Sequence, residues 1–268
     1  MKIITFINKS AFMNSLNSIN KKFIHIIFLD FLYYTILLFT GSFYIYRILP
    51  KAMQIMDVAE LIEAGKAFSS ADELIMGMAS FSAEWLSFKI WTAVIVVFLI
   101  LNYVVFKYLI WNKIQDKHQK LKQAIKSMSY FALLNIIIII IALLALVLSW
   151  YIFTLEFFNI MFFLVVPVLA IYSINLLHPL FVKSESIKIS FANFINIGIK
   201  KFYLFIIPYL IMIIGLYLVM RILPVFLFVP DALYFVLYVL VFSAYFSWCK
   251  YYIFAIIMRV KNDNSKSE

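Results

Sequence analysis

The sequence predicts an all-α integral membrane protein, a bundle of six membrane-spanning helices, and three observations predict it. Two thirds of the 268 residues are hydrophobic and 13% are charged, whereas a water-soluble domain is about half apolar and about a quarter charged. The apolar residues are gathered into long, nearly charge-free runs, each able to cross roughly 30 Å of hydrocarbon as a helix. Within those runs, as from Ile136 to Leu148, apolar and polar residues do not alternate, which excludes the strands of a membrane barrel. A helix satisfies its backbone hydrogen bonds within the segment, and lipid offers no other partner.

Taken in order, residues 1–22 read as a cytoplasmic interfacial segment. Its first stretch carries Lys2, but Asn8 and Lys9 interrupt the apolar residues and no small-residue cleavage pattern follows, so no leader is expected to be removed. Spans are expected at residues 23–48, 86–110, 129–153, 157–181, 202–223 and 232–258. They group into hairpins 23–112, 113–186 and 187–259 of one integral membrane domain, with 260–268 a disordered cytoplasmic tail. Residues 50–85 form the one sizeable external segment and read as two short helices. Ile55, Val58, Ala59 and Ile62 make an apolar face opposite Asp57, Glu60 and Glu63, Gly65 supplies a stop, and Ser70 with Glu73 has capping-box spacing. The acidic face reads as solvated surface, with a cation-gathering lid as the alternative.

Basic residues set the orientation, because cytoplasmic flanks carry the Lys and Arg excess. With the N-terminus inside, seventeen basic residues fall on the cytoplasmic side, among them Lys21, Lys22, Lys117, Lys120, Lys122, Lys126, Lys200 and Lys201; Arg47, Lys51, Lys66 and Arg221 fall outside. Both termini are therefore expected in the cytoplasm of a multi-pass cell-membrane protein. The lysines named are expected to meet anionic inner-leaflet lipid. The formal charge of +10 is thus a topology signal, and nucleic acid is not an expected partner. Trp85 and Trp91 open the second span, Trp111 closes it and Trp150 ends the third, as interfacial anchors do.

An internal repeat accompanies the spans. Phe12 to Phe23 aligns without gaps on Phe191 to Phe202, both containing Asn, Asn, Lys-Lys and Phe in register, and Arg47-Ile-Leu-Pro50 recurs as Arg221-Ile-Leu-Pro224. Phe12, Leu16, Ile19 and Phe23 share a helical face, as do Phe191, Phe194 or Ile195, and Phe202. Leu121, Ala124, Ile125 and Met128 form a third such face opposite Lys117, Lys120, Lys122 and Lys126. Each hairpin is then preceded by an amphipathic elbow helix lying in the interface. In layout alone this resembles six-span prokaryotic integral membrane proteins of uncharacterised function that repeat an elbow helix before each hairpin. The resemblance implies three parallel units and carries over no activity or site residue.

Ionisable groups within spans are costly unless paired, so they mark candidate sites. Asp30 lies roughly 12 Å beyond Lys22 along a helix, with Tyr33 and Tyr34 on its face as donors. Lys250 lies at similar depth in the last span, in a stripe with Ser243 and Ser247. Asn175 and His178 share a face of the fourth span, and Asn102 and Asn135 stand at comparable depths in the second and third. These ten residues form an expected polar layer centred on an Asp30–Lys250 ion pair. The plainer reading has Lys250 snorkelling to the headgroups, Asp30 neutral or held by the tyrosines, and the asparagines bonding helices together.

Absent patterns also bear on function. Catalytic residues, a metal and a cofactor are not expected: no His-Glu-x-x-His, Gly-x-Ser-x-Gly or phosphate-loop motif occurs. Cys249 is the single cysteine, so no intramolecular disulfide forms. Pro167, Pro208 and Gly215 do not make the matched broken segments of a transporter. Two functions remain. One is a non-enzymatic bundle that organises membrane, lipid or a protein partner, a second copy included. The other is a transporter or channel for protons, ions or a small amphiphile that uses Asp30 and Lys250, with His25 or His178 near its mouth.

Overall fold

The computed structural model describes residues 11–13, 15–16, 21–53, 56, 71–117, 119–152, 154–226 and 228–264. The described residues are 94% helical, without strands. Six helices are long and apolar enough to span a membrane. These are α1 (Lys21–Met53), the Phe81–Ile114 part of α2 (Ala71–Ile114), α3 (Leu121–Ile152), α4 (Leu155–Ser184), α6 (Tyr203–Phe226) and α7 (Asp231–Asn264), with the shorter α5 (Ile187–Ile199) between α4 and α6. The chain is an all-helical, multi-pass membrane protein. In α3 the side chains of Ile139, Ile140, Ile141, Leu143, Leu144, Val147 and Leu148 are exposed, a surface suited to hydrocarbon and not to water.

Local chemistry explains the breaks. Met161–Val165 is a π turn directly before Pro167; a proline has no N–H for the preceding turn, and the widened turn absorbs the mismatch. Helix α4 ends where Glu185 takes a left-handed conformation, φ 53°, returning its N–H to Phe181 O at 2.7 Å. Ser186 then caps α5 by accepting from the Ile189 N–H at 3.5 Å.

The chain divides into two compact units, residues 1–31 with 104–268, and residues 32–103. In the larger, α7 contributes Tyr252, Ile253, Ile256 and Ile257 to a core completed by Leu176 and Leu180 of α4, Ile197 of α5 and Leu204 and Phe205 of α6. Two close approaches shape it. A Cβ on Gly198 would stand 2.9 Å from Leu176 Cδ1, and the Gly198 carbonyl accepts from Tyr172 Oη at 2.6 Å. A Cβ on Gly215 would stand 3.1 Å from the Tyr245 ring, whose hydroxyl donates to Met212 O. The N-terminal segment docks here as well: Phe12 packs edge-on against Trp248 and Tyr252, and Trp248 Nε1 donates to Ser15 Oγ at 3.2 Å.

In the smaller unit Tyr33 packs edge-on against Tyr34 and Tyr103, and Trp85 stacks on Phe88 beneath the Lys89 ammonium, 4.8 Å from the Trp85 ring. Lys89 is therefore anchored by a cation–π contact.

Several expectations change. Residues 121–128 are not a separate elbow; they are the first turns of α3, because nothing between Leu121 and Tyr130 breaks a helix. The second external helix is the beginning of α2, which runs 44 residues from Ala71, about 66 Å at helical rise. The capping-box position Ser70 and, apart from Met56, the expected helix at residues 55–63 lie outside the described residues, as do residues 1–10 and 265–268. Trp111 is 2% exposed, packed in protein instead of sitting at a lipid interface. The two Arg-Ile-Leu-Pro copies also differ: α1 continues through Pro50 after a π turn at Tyr44–Ile48, whereas the second copy passes into the 3-10 turn Leu223–Phe226.

Candidate functional site

The larger unit contains a buried charge cluster built from four helices. Asp30 of α1 is 0% exposed. Lys250 Nζ of α7 lies 2.5 Å from both of its carboxylate oxygens, and Ser247 Oγ, three residues away on the same face, donates to Oδ2 at 2.6 Å. One helix thus supplies both partners, because positions three apart face the same way. A bidentate, charge-assisted arrangement of this kind is what makes a buried carboxylate tolerable.

Lys107 of α2 lies in the electrostatic neighbourhood of Asp30 and Lys250. His178 of α4 is electrostatically coupled to Lys107. Its Nε2 lies 2.8 Å from Asn135 Oδ1 of α3, and Asn135 Nδ2 donates to Phe131 O at 2.7 Å. With the amide so oriented, Nε2 carries the proton and donates. Phe131 also packs on the imidazole, ring centroids 4.5 Å apart.

The remaining expected members behave differently. Ser243 is buried and returns its hydroxyl to Val239 O at 2.6 Å. Asn175 lies beside Tyr209. Tyr33, Tyr34 and Asn102 belong to the smaller unit, where Asn102 is buried with Nδ2 unpartnered among the described residues.

Where α4 ends, a second polar cluster forms at the surface. Glu185 pairs with Lys117 and accepts from Gln119 Nε2 at 2.6 Å, Ser127 Oγ at 3.2 Å and Gln123 Nε2 at 3.4 Å. The Lys117 hydrogen bond is the main cause holding its carboxyl below the ordinary range. Lys117 Nζ also donates to Val182 O at 2.7 Å, and Gln115 Nε2 to Pro179 O at 2.8 Å, so the α2–α3 connection is strapped to the end of α4. Lys22 pairs with Asp116 in that connection. Lys21, Lys120, Lys122, Lys126 and Lys200 are exposed, and Lys201 is half-buried.

Sequence reasoning missed Lys107 and Glu185. Lys107 stands seven residues inside the end of α2 at Ile114, about 10 Å along the helix, and that count is the available signal. Glu185 has no comparable signal, since its partners come from a connection distant in sequence. Fold and site together define a helical multi-pass membrane protein with a buried charge cluster. Comparison with family models, with curated proteins and with solved structures finds no match to this chain. No group of His, Cys, Asp and Glu suited to a metal occurs among the described residues.

Proposed function

We propose that the protein is a non-enzymatic bundle of the cell membrane, with both termini cytoplasmic and the interfacial helix α5 before its last hairpin, that organises anionic inner-leaflet lipid around its basic end. The observation that supports this is α5. Its inward residues Ser190, Ile197 and Gly198 are buried, while Ile189, Ile195 and Ile199 are exposed beside the exposed Lys188, with Lys200 and Lys201 directly following. An apolar surface rimmed by lysines is what an in-plane interfacial helix presents to headgroups. Each lysine near an anionic surface contributes about 1 kcal/mol, so three give on the order of 100-fold in lipid affinity. The test compares thermal midpoints in phosphatidylglycerol and phosphatidylcholine nanodiscs for wild type and a Lys188→Gln/Lys200→Gln/Lys201→Gln variant. The anionic lipid raises the midpoint of wild type alone; equal midpoints in both lipids refute the reading.

A second reading, a proton, ion or small-amphiphile translocator, is favoured by a different observation, the buried Asp30–Lys250 contact. Lys250→Cys on a Cys249→Ser background, probed with impermeant thiol reagents from each side, separates the two. Accessibility that changes side with pH supports translocation, and protection throughout supports a closed core.

A further inference from the structure

Within the larger unit, the connection between α2 and α3 is fastened in two directions by its own side chains. Gln115, Lys117 and Gln119, spaced two apart, all reach the end of α4. Gln115 Nε2 donates to Pro179 O at 2.8 Å, Lys117 Nζ donates to Val182 O at 2.7 Å and pairs with Glu185, and Gln119 Nε2 donates to Glu185 Oε1 at 2.6 Å. Asp116, between them, reaches the other way and pairs with Lys22 at the start of α1. One short stretch thus straps α1 to the α4–α5 turn, with an ion pair as the latch at each end.

Two features make this strap the part of the unit that yields first. Both latches are partly exposed, the Asp116 side chain 74% and the Glu185 side chain 26%, so water and salt compete for them. The Asp30–Lys250 pair, by contrast, is shielded. The latch carboxylates also stand on a disfavoured backbone: Asp116, at φ 54°, and Glu185, at φ 53°, are the residues other than glycine with positive φ among the described residues. A Cβ opposes that conformation, and it persists where surrounding contacts hold it. Local opening starts at elements with few buried apolar contacts, and the strap is held by polar contacts.

The approach to the buried pair begins beside one latch. Lys22 immediately precedes Phe23, whose ring centroid lies 5.5 Å from that of Tyr251. Tyr251 directly follows Lys250 in α7, and Asp30 stands two turns of α1 beyond Phe23. We infer that the strap gates the entry of water to the Asp30–Lys250 pair from the end of the bundle that carries Lys22, latched by Lys117 on Glu185 and by Asp116 on Lys22, with the Phe23–Tyr251 contact as the barrier beneath. Opening breaks hydrogen bonds and ion pairs and makes no covalent change. The gate stands apart from both readings of function: lipid dependence bears on the first, solute flux on the second, and water entry on the strap.

The test introduces Tyr251→Cys into the full chain on a Cys249→Ser background, in nanodiscs, and follows its alkylation by iodoacetamide, a neutral water-soluble reagent. Tyr251 is 8% exposed and its hydroxyl has no hydrogen-bond partner among the described residues, so the substitution breaks no hydrogen bond. With the strap intact, Tyr251→Cys reacts far more slowly than the exposed reference Lys113→Cys on the same background. Adding Lys117→Gln or Glu185→Gln to Tyr251→Cys speeds alkylation about tenfold or more, the effect of losing a charge-assisted hydrogen bond. Adding Lys113→Gln, the same charge change one turn before Lys117, leaves the rate as it was. Equal rates with Lys113→Gln and Lys117→Gln overturn the inference, and so does Tyr251→Cys reacting as fast as Lys113→Cys while the strap is intact. If the latch variants do not fold, a salt series on Tyr251→Cys alone decides. Rising ionic strength screens the partly exposed latches and speeds alkylation, whereas a rate independent of salt overturns the inference.

Discussion

Replacing Lys250 by Met leaves Asp30, fully removed from solvent, with the Ser247 hydroxyl and without the ammonium that spans both carboxylate oxygens. Breaking a buried pair from one side costs about 3–5 kcal/mol, because the other charge stays behind. Asp30→Leu strands Lys250 in the same way. The double variant Asp30→Leu/Lys250→Met removes both charges with apolar side chains of similar size, and replacements of that kind are neutral or stabilising by about 1–4 kcal/mol. The coupling energy is then several kcal/mol and favourable. Interhelical hydrogen bonds in membranes average only about 0.6 kcal/mol, so a coupling above about 2 kcal/mol identifies an ion pair instead of an ordinary polar contact. The assay is reversible unfolding of the four proteins by denaturing detergent in mixed micelles, followed by tryptophan fluorescence. The pair is shielded from ions, so the coupling should change little with salt. Single variants that each cost under about 1 kcal/mol and simply add in the double would refute the reasoning.

Three further outcomes are expected. Gly198→Ala places a methyl 2.9 Å from Leu176 Cδ1 and 3.0 Å from Phe194 Cδ2; Leu176 is fully buried, so overpacking costs about 1–3 kcal/mol, more than the roughly 1 kcal/mol that alanine gains in a helix, and a thermal melt in detergent shows the drop. Asn135→Leu removes the acceptor of the His178 Nε2–H and lowers stability by about 1–3 kcal/mol, most of which Asn135→Leu/His178→Phe recovers. Glu185 has its folded-state value depressed by Lys117 from the ordinary 4.5, so its contribution is present above that ordinary value and is lost as pH falls through the depressed one. The group is partly exposed, which limits the effect to under about 1 kcal/mol; Glu185→Gln flattens this acid limb in a series of melts against pH, and an unchanged limb refutes the assignment.

Much of the architecture is legible in the amino acids because hydrocarbon imposes a crude rule. A run such as Ile136 to Leu148 has no stable conformation in lipid except a helix, so span number and approximate ends follow from composition along the chain. Ends are less legible. Leu121 to Met128 has the pattern of an interfacial helix, yet lacks a breaker before the span, and the two merge. The Arg-Ile-Leu-Pro copies show the same limit from the other direction: four identical residues end in different turns, since a tetrapeptide carries too little energy to overrule what surrounds it.

The amino-acid order by itself determined six apolar helices and how far along each one a charge stands, since both depend on counting residues along a helix of constant rise. Only tertiary structure decided which helix faces meet. It set Ser247 and Lys250 against Asp30, added Lys107, paired His178 with Asn135, and tied Glu185 to Lys117 across a connection. The physical reason is rotational: position along the axis is a property of one helix, whereas contact depends on the azimuth of several, set by packing at positions such as Gly198 and Gly215, where the absence of a side chain makes room for Leu176 and for the Tyr245 ring.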